Sequence, residues 1–328
     1  MGSVPGADLQ APMKYVSSIH IPYWFQLPSR RNEDMIRQFA YLVEGYEERG
    51  DSILEIDIGT FRNITESAEP LLPDEEHASA LYEMMRGGYY NCFKTQLTAP
   101  ATMCFSIRSP EGQSLVSEDA FHFFYILMRR IAQGMKEMLV PHCKSVIMCL
   151  DDPALGLVLE VIDRGDGGSL TREHIFRSTK RVIPSGMIPA YHYCHDWRAL
   201  KSHGRYPLWD DGSRVVHVDV ISYPPELDPE QAEHINRFLE HGGGIALGVI
   251  PKTDEGFSKP VGQELSSRLA DALSRFHRSG VSVGLLGDNL MVSTQCGIPR
   301  MTPRMAREIH EESRSFPAIV EKEVRLHS

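Results

Sequence analysis

The segment Val146-Ile147-Met148-Cys149-Leu150-Asp151-Asp152-Pro153 decides the fold. Its first five residues are all apolar, which is typical of a short strand that is buried on both faces. The two acidic residues and the proline that follow end the strand abruptly. Strands of this kind occur in parallel sheets that are covered by helices, so the segment predicts an α/β protein.

The same pattern recurs along the chain, with apolar runs alternating with stretches of helical spacing. Strands are predicted at residues 52–58, 92–97, 145–150, 187–191, 215–222, 244–250 and 289–293. Helices are predicted at residues 118–136, 229–241, 263–278 and 303–315. Seven or eight such units predict a single-domain TIM (β/α)8 barrel over residues 15–328, preceded by a flexible lead-in over residues 1–14. A doubly wound fold of two domains shares this alternation, but no Gly-x-Gly-x-x-Gly motif follows a predicted strand.

Composition excludes several classes of function. The 328 residues are 42% hydrophobic and carry a formal net charge of −10, which argues against a nucleic-acid-binding surface. No apolar run reaches the roughly 18 residues that a membrane-spanning helix needs. The six cysteines are too sparse for a disulfide scaffold, and the first residues do not resemble a signal peptide. A cytoplasmic protein with no nucleic-acid or membrane partner is therefore expected.

Three side chains suggest a metal site: His192, Cys194 and Cys296. Each stands just after a strand-like run, and residues i and i+2 of a strand point to the same side, so His192 and Cys194 could bind one ion. Cys296 must come from another strand. Zinc prefers thiolate and imidazole ligands, and catalytic zinc sites usually have three protein ligands and one open position. The sequence therefore predicts a zinc site with these three ligands.

Other polar residues also stand near strand ends, where TIM barrels carry their chemistry. Asp151 follows the strand at 145–150, and Tyr223-Pro224-Pro225-Glu226 follows the strand at 215–222. Gln96, near the end of the strand at 92–97, is a candidate for binding substrate, and so is Ser18, at the end of a first strand. These residues are expected to face the same side of the fold as the metal ligands.

The chain resembles the cobalamin-independent methionine synthases from about residue 17 to residue 312. Asp151-Asp152-Pro153-Ala154-Leu155 is similar to an Asp-Glu-Pro-Ala-Leu segment of that family, and the His-x-Cys and Cys-Gly elements fall where its zinc ligands do. Further matches lie at residues 32–39, 94–100 and 244–249. The resemblance covers only the catalytic barrel, and it is closer to a short, single-barrel group of methionine-synthase-like and uroporphyrinogen-decarboxylase-like proteins, which open with a segment like residues 21–28.

The resemblance implies a zinc-dependent methyltransferase that binds a small thiol as a zinc thiolate and methylates it. Asp151 matches the carboxylate that holds the amino group of the amino-acid thiol in that family. The methyl donor implied is a methylated corrinoid, presented by a corrinoid protein as in short relatives, or a folate. Two alternatives stay open, namely a lyase or C–S bond-forming enzyme on the same barrel and a non-catalytic zinc-binding barrel.

Two departures from the family pattern concern the substrate and the metal. Arg37 stands where the family has a glutamate that contacts the substrate's amino group, so the acceptor could be an anionic thiol other than homocysteine. Pro224 stands at the position of the acidic residue that often completes the metal shell, and Glu226 is the candidate to replace it.

Overall fold

A computed structural model describes residues 2–327, which form helices and short strands in alternation. The strands are β1 (Tyr46–Arg49), β2 (Asp51–Leu54), β3 (Phe93–Thr98), β4 (Val146–Asp151), β5 (Ile188–His192), β6 (Val215–Asp219), β7 (Gly244–Ile250) and β8 (Leu290–Thr294). The α-helices are α1 (Gln10–Val16), α2 (Arg37–Ala40), α3 (Ile58–Thr65), α4 (Ser79–Arg86), α5 (Pro100–Ser106), α6 (Glu118–Leu139), α7 (Leu155–Asp163), α8 (Arg172–Thr179), α9 (Pro207–Asp210), α10 (Pro229–Glu240), α11 (Val261–Arg278), α12 (Val283–Asp288), α13 (Pro303–Glu312) and α14 (Phe316–His327).

These elements divide into two compact units. The first unit is Pro28–Ile188, and the second combines residues 2–27 with residues 189–327. The prediction of a single barrel domain from residue 15 onward stays a prediction.

In the first unit, β3 and β4 pair in parallel, with Phe93 opposite Val146 and Thr98 opposite Asp151. The whole run from Val146 to Leu150 is buried, as its apolar composition predicted. The 22-residue helix α6 begins at Ser117, whose side chain accepts a hydrogen bond from the backbone N–H of Ala120 at 3.2 Å. Parallel strands and covering helices make this unit α/β.

In the second unit, β5, β6, β7 and β8 pair in parallel in that order. All seven residues of β7 are buried, which is expected of a central strand between two neighbours. Helix α11 carries an apolar face that includes Leu265, Leu269 and Phe276, all buried. The order of the strands in this unit follows their order in the chain, as successive βα steps require.

The α/β class is thus confirmed, whereas a closed eight-stranded barrel is not shown. Within residues 2–327, six strands pair in parallel and the other two, β1 and β2, form an antiparallel hairpin. The prediction that residues 52–58 form one of the parallel strands is wrong. The first part of this segment is β2 of the hairpin, and Asp57 ends it by accepting a hydrogen bond from Thr60 N at 2.7 Å, which starts α3.

Residues 2–14, for which a flexible lead-in was predicted, make defined contacts in the second unit. Ser3 forms a bridge to Gln26, and its carbonyl accepts a hydrogen bond from Ile298 N at 3.0 Å. Val4 is fully buried. Across residues 2–327, no helix combines the length and the apolar character that crossing a membrane demands.

Candidate metal centre

Strand β5 positions the first two members of the predicted metal site. His192 is its last residue and is buried, and Cys194 follows two residues later and is half-buried. Their closest ring and sulfur atoms, His192 Nε2 and Cys194 Sγ, lie 3.0 Å apart. The chain direction therefore persists past the end of the strand far enough to bring both side chains to one point, as the i, i+2 spacing predicted.

Cys296 reaches the same point from the end of β8, in the same unit. Gln295 N donates to Ile250 O at 2.9 Å, which extends the pairing with β7 by one residue. Thr294 Oγ1 then donates to Cys296 O at 2.7 Å and closes a tight turn. This turn places Cys296 Sγ 3.9 Å from Cys194 Sγ.

The three side chains form a group that could hold a metal ion. Their ligand atoms all lie within 4.8 Å of one another. In a tetrahedral zinc shell with Zn–S bonds of about 2.3 Å, two sulfurs stand about 3.8 Å apart. The 3.9 Å between the two sulfurs matches that edge. The 3.0 Å between Cys194 Sγ and His192 Nε2 must widen by about half an ångström, because a Zn–N bond of about 2.0–2.1 Å makes the corresponding edge about 3.5–3.6 Å. The donor set and its spacing therefore fit a metal ion.

The electrostatics of the group favour the thiolate that a metal needs. Contact with Cys194 and then with His192 holds the pKa of the Cys296 thiol well below its usual range, although burial acts in the opposite direction. The other cysteines with a resolved shift behave differently, since burial raises the pKa of Cys92, Cys104, Cys143 and Cys149. Because thiolates are the metal-binding form of cysteine, Cys296 is prepared for coordination.

Sequence reasoning missed His217, which lies directly behind His192. The register of β5 and β6 sets the two histidines opposite each other, so both rings project from the same side of the sheet. Their Nδ1 atoms are 2.5 Å apart, and His217 Nε2 lies 3.0 Å from Thr294 O. A histidine inside the apolar run Val215-Val216-His217-Val218 was a usable signal, because a buried imidazole needs partners.

Sequence reasoning also missed Asp219 and Gln295, which connect the ends of β6 and β8. The side-chain nitrogen of Gln295 donates to both carboxylate oxygens of Asp219 at 3.2 Å each and to Ser222 Oγ at 3.0 Å. Asp219 and Gln295 are both buried. Since Gln295 directly precedes Cys296, this network fixes the backbone that carries the second sulfur.

The expectation that Glu226 could complete the metal shell is wrong. Its side chain is exposed and accepts a hydrogen bond from Arg275 Nη1 at 2.6 Å. Within residues 2–327, the ligand group comprises His192, Cys194 and Cys296, and Glu226 is outside it. The charge of Arg275 holds the Glu226 carboxylate on the surface of α11.

Ser18 belongs to the second unit, but it does not end a strand as predicted. The segment before it is helix α1, and the Ser18 hydroxyl donates back to Tyr15 O at 2.9 Å. Ser18 is exposed. The lead into this segment lacks a β-branched run, which was the available sign that a strand is absent.

The remaining predicted substrate residues lie in the first unit. Asp151 ends β4 opposite Thr98 and is within 3.5 Å of Cys149 Sγ, and Gln96 is buried in β3 and accepts a hydrogen bond from Lys94 Nζ at 3.0 Å. These two residues therefore sit near the carboxyl ends of neighbouring strands, as expected.

Arg37 begins α2 among acidic groups. Its Nε is 3.4 Å from Glu48 Oε2, its Nη1 is 3.8 Å from Asp34 Oδ1, and its Nη2 donates to Gly50 O at 3.3 Å. The guanidinium charge is thus compensated by two carboxylates of the same unit. This arrangement weakens the repulsion of an ammonium group that the sequence alone suggested.

Comparison of the chain with protein-family models and with curated proteins gave no match.

Proposed function

We propose that this protein is a zinc-dependent methyltransferase that methylates a small thiol, and that its six parallel strands belong to a TIM-type barrel. The observation that carries the proposal is the group of one imidazole and two sulfurs within 4.8 Å of one another. Three protein ligands of this type are the usual shell of a catalytic zinc ion, whereas structural zinc sites are closed by four. The resemblance to cobalamin-independent methionine synthases, which includes the same three residues, supports the choice of reaction.

A zinc ion in this group would bind the substrate sulfur at its fourth position and promote loss of the thiol proton. The protein's own contribution is to hold the ligands in place. His192 is buried, and Cys194 and Cys296 are only partly exposed, so water has restricted access to the sulfurs. In the overall reaction the substrate sulfur bonds to the methyl carbon, and the bond from that carbon to the donor breaks with its electron pair left on the donor.

Asp151 is proposed to orient the acceptor through its amino group, and Gln96 through a hydrogen bond. These two roles rest on the sequence pattern, and Asp151 ends β4 and is half-buried. Ser18 and Arg37 are kept as proposed substrate contacts on the sequence pattern alone. The proposed donor is a methylated corrinoid, delivered by a partner corrinoid protein, or a folate.

The first test is metal content. Zinc would be measured in the purified wild type, in Cys296→Ser and in Cys149→Ser, a control that removes a buried thiol from a strand. We expect about one zinc per chain in the wild type and in the control, and strong loss in Cys296→Ser. Equal zinc in the wild type and Cys296→Ser would remove the metal site from the proposal.

The second test asks whether the site has an open position for a thiol. The protein would be substituted with cobalt, and its visible spectrum would be recorded with homocysteine, with other small thiols and with their S-methylated forms. A thiol that is an acceptor should change the cobalt bands, and its S-methylated form should change them much less. A spectrum that no thiol alters would indicate a closed, non-catalytic site.

A further inference from the structure

The ring of His217 joins two parts of the candidate metal centre. On one side its Nδ1 is 2.5 Å from His192 Nδ1, and on the other its Nε2 is 3.0 Å from Thr294 O. The two imidazole rings meet edge to face, with centroids 4.3 Å apart and planes at 69°. His217 is 2% exposed, so these contacts form away from bulk water.

The hydrogen-bonding chemistry of these atoms assigns the protons. A carbonyl oxygen only accepts, so His217 Nε2 carries a hydrogen and donates it to Thr294 O. A neutral imidazole with its hydrogen on Nε2 has an acceptor at Nδ1. The short contact with His192 is then a hydrogen bond in which His192 Nδ1 donates to His217 Nδ1.

This assignment decides which atom of His192 can bind a metal. With its hydrogen on Nδ1, His192 keeps a lone pair on Nε2, the atom that lies 3.0 Å from Cys194 Sγ. The opposite tautomer would place a hydrogen on Nε2, between the ring and the sulfur, where it would block coordination. Partners on the far side of a metal-binding histidine generally set its tautomer and its orientation in this way.

We propose that His217 is a positioning residue that fixes His192 in its Nδ1–H tautomer and aims Nε2 at the metal. The inference deepens the proposed function and rests on its metal site. Thr294 extends the same chain to the second sulfur, because its backbone oxygen accepts from His217 and its hydroxyl donates to Cys296 O at 2.7 Å. The same series of hydrogen bonds therefore positions both the His192 imidazole and the backbone of Cys296.

A histidine in this place also differs from the more common carboxylate partner in its charge. Two cysteine thiolates already balance a divalent ion, and a carboxylate behind His192 would add a further negative charge beside them. A neutral His217 holds the ring without that charge. The centre can then accept the negative sulfur of a substrate at a smaller electrostatic cost.

Metal affinity tests the proposal directly. The affinity of the full chain for Co²⁺ would be measured by competition with a chelator in the wild type, His217→Leu, His217→Gln and His310→Leu. His217→Leu should bind Co²⁺ about 10- to 100-fold more weakly. His217→Gln should restore most of the affinity, because its amide oxygen can accept from His192 Nδ1–H and its amide nitrogen can donate to Thr294 O. His310→Leu, which removes another buried imidazole, should leave the affinity unchanged.

Nitrogen-15 NMR of the imidazole rings gives a second measurement that does not depend on activity. In the metal-free wild type, His192 Nδ1 should carry a hydrogen, and in His217→Leu a substantial fraction of His192 should lack a hydrogen on Nδ1. The proposal is overturned if wild-type His192 is the Nε2–H tautomer, or if a folded His217→Leu binds Co²⁺ as tightly as the wild type. If His217→Leu fails to fold, His217→Gln and the wild-type tautomer still decide.

The results also separate this proposal from the methyltransferase proposal. A wild-type cobalt spectrum that no thiol alters, together with weaker binding in His217→Leu, would keep His217 as a positioning residue and reject thiol methylation. A spectrum that responds to thiols, together with full affinity in His217→Leu, would support the methyltransferase proposal and reject His217 as a positioning residue.

Discussion

At the residue scale, the sequence predicted the candidate metal ligands but not the residues that position them through hydrogen bonds. Zinc prefers imidazole and thiolate ligands, and the positions of His192, Cys194 and Cys296 after strand-like runs indicated that these side chains converge. His217, Asp219 and Gln295 act through hydrogen bonds that depend on which strand lies beside which. These contacts depend on the register of β5 with β6 and on the turn after β8, and neither can be predicted from a single sequence.

The low pKa of Cys296 predicts selective alkylation. In metal-free protein, iodoacetamide should modify Cys296 at a nearly constant rate between about pH 5 and pH 8, because the thiolate is already formed there. Cys92 is half-buried like Cys296, but burial raises the pKa of its thiol, so its modification should increase steeply with pH. Mass spectrometry of peptides would measure both rates. Parallel pH profiles for the two cysteines would contradict the assignment of Cys296 as the thiolate.

Because His310 is buried, we expect the protein to lose stability in acid, independently of the metal site. Burial lowers the pKa of His310 from 6.5 to about 4, and its ring is held neutral between Ala306 O at 2.6 Å and the Tyr23 hydroxyl at 2.9 Å. Between these two values the unfolded chain binds more protons than the folded one. Stability is therefore complete above about pH 6.5 and falls as the pH decreases toward 4, by about 3 kcal/mol in total.

Urea denaturation of metal-free protein at a series of pH values would measure this loss. His310→Gln should be less stable near neutral pH and should show a shallower decline between about pH 6.5 and pH 4. An unchanged slope in His310→Gln would assign the acid sensitivity to other groups.

At the element scale, buried strands were predicted well and the first third of the chain was not. Strand β7 has the predicted bounds, and β4 differs from its prediction by one residue at each end, because a continuous apolar run is distinctive when both faces are covered. The segment at 52–58 also looks apolar and β-branched, but Asp57 caps a helix inside it and the preceding residues form a hairpin with β1. A local cap and a local turn here took precedence over the average pattern.

Gly248 of β7 lies where the backbone of Val218 in β6 and of Gln295 after β8 comes close, so a larger residue is expected to disturb these strands. A Cβ at this position of β7 would lie 2.9 Å from Gln295 Cα and 3.1 Å from Val218 O, which are backbone atoms that cannot rotate away. Gly248→Ala should destabilise the protein by about 1–3 kcal/mol. It should also weaken Co²⁺ binding, because Gln295 directly precedes Cys296.

The matched control for Gly248→Ala is Gly284→Ala, since a Cβ at Gly284 in α12 would meet nothing closer than 3.9 Å. Thermal denaturation and chelator competition would be run on both variants. If the two variants have the same stability and the same Co²⁺ affinity, the strands tolerate a wider spacing than the structure implies.

At the scale of the whole molecule, the sequence predicted the α/β class and the positions of most strands along the chain. The number of parallel strands was overestimated, because β2 has the composition of a strand but pairs antiparallel to β1. The division into two units was not anticipated, since its second boundary falls inside strand β5, between Ile188 and Pro189, and not in a linker between elements. A single sequence also does not show how residues 2–27 join residues 189–327, as Ser3 O does by accepting a hydrogen bond from Ile298 N at 3.0 Å.

This division predicts where metal binding should stabilise the protein. All three candidate ligands belong to the unit of residues 2–27 and 189–327, where they lie at the end of strand β5 or just after strands β5 and β8. A ligand that binds only the folded state stabilises first the elements that carry its contacts. Hydrogen exchange with and without zinc should therefore show the largest gain in protection in β5, β6 and β8. The amides of β3 and β4, in Pro28–Ile188, serve as the internal control, and an equal gain there would mean that the metal acts on the chain as one cooperative body.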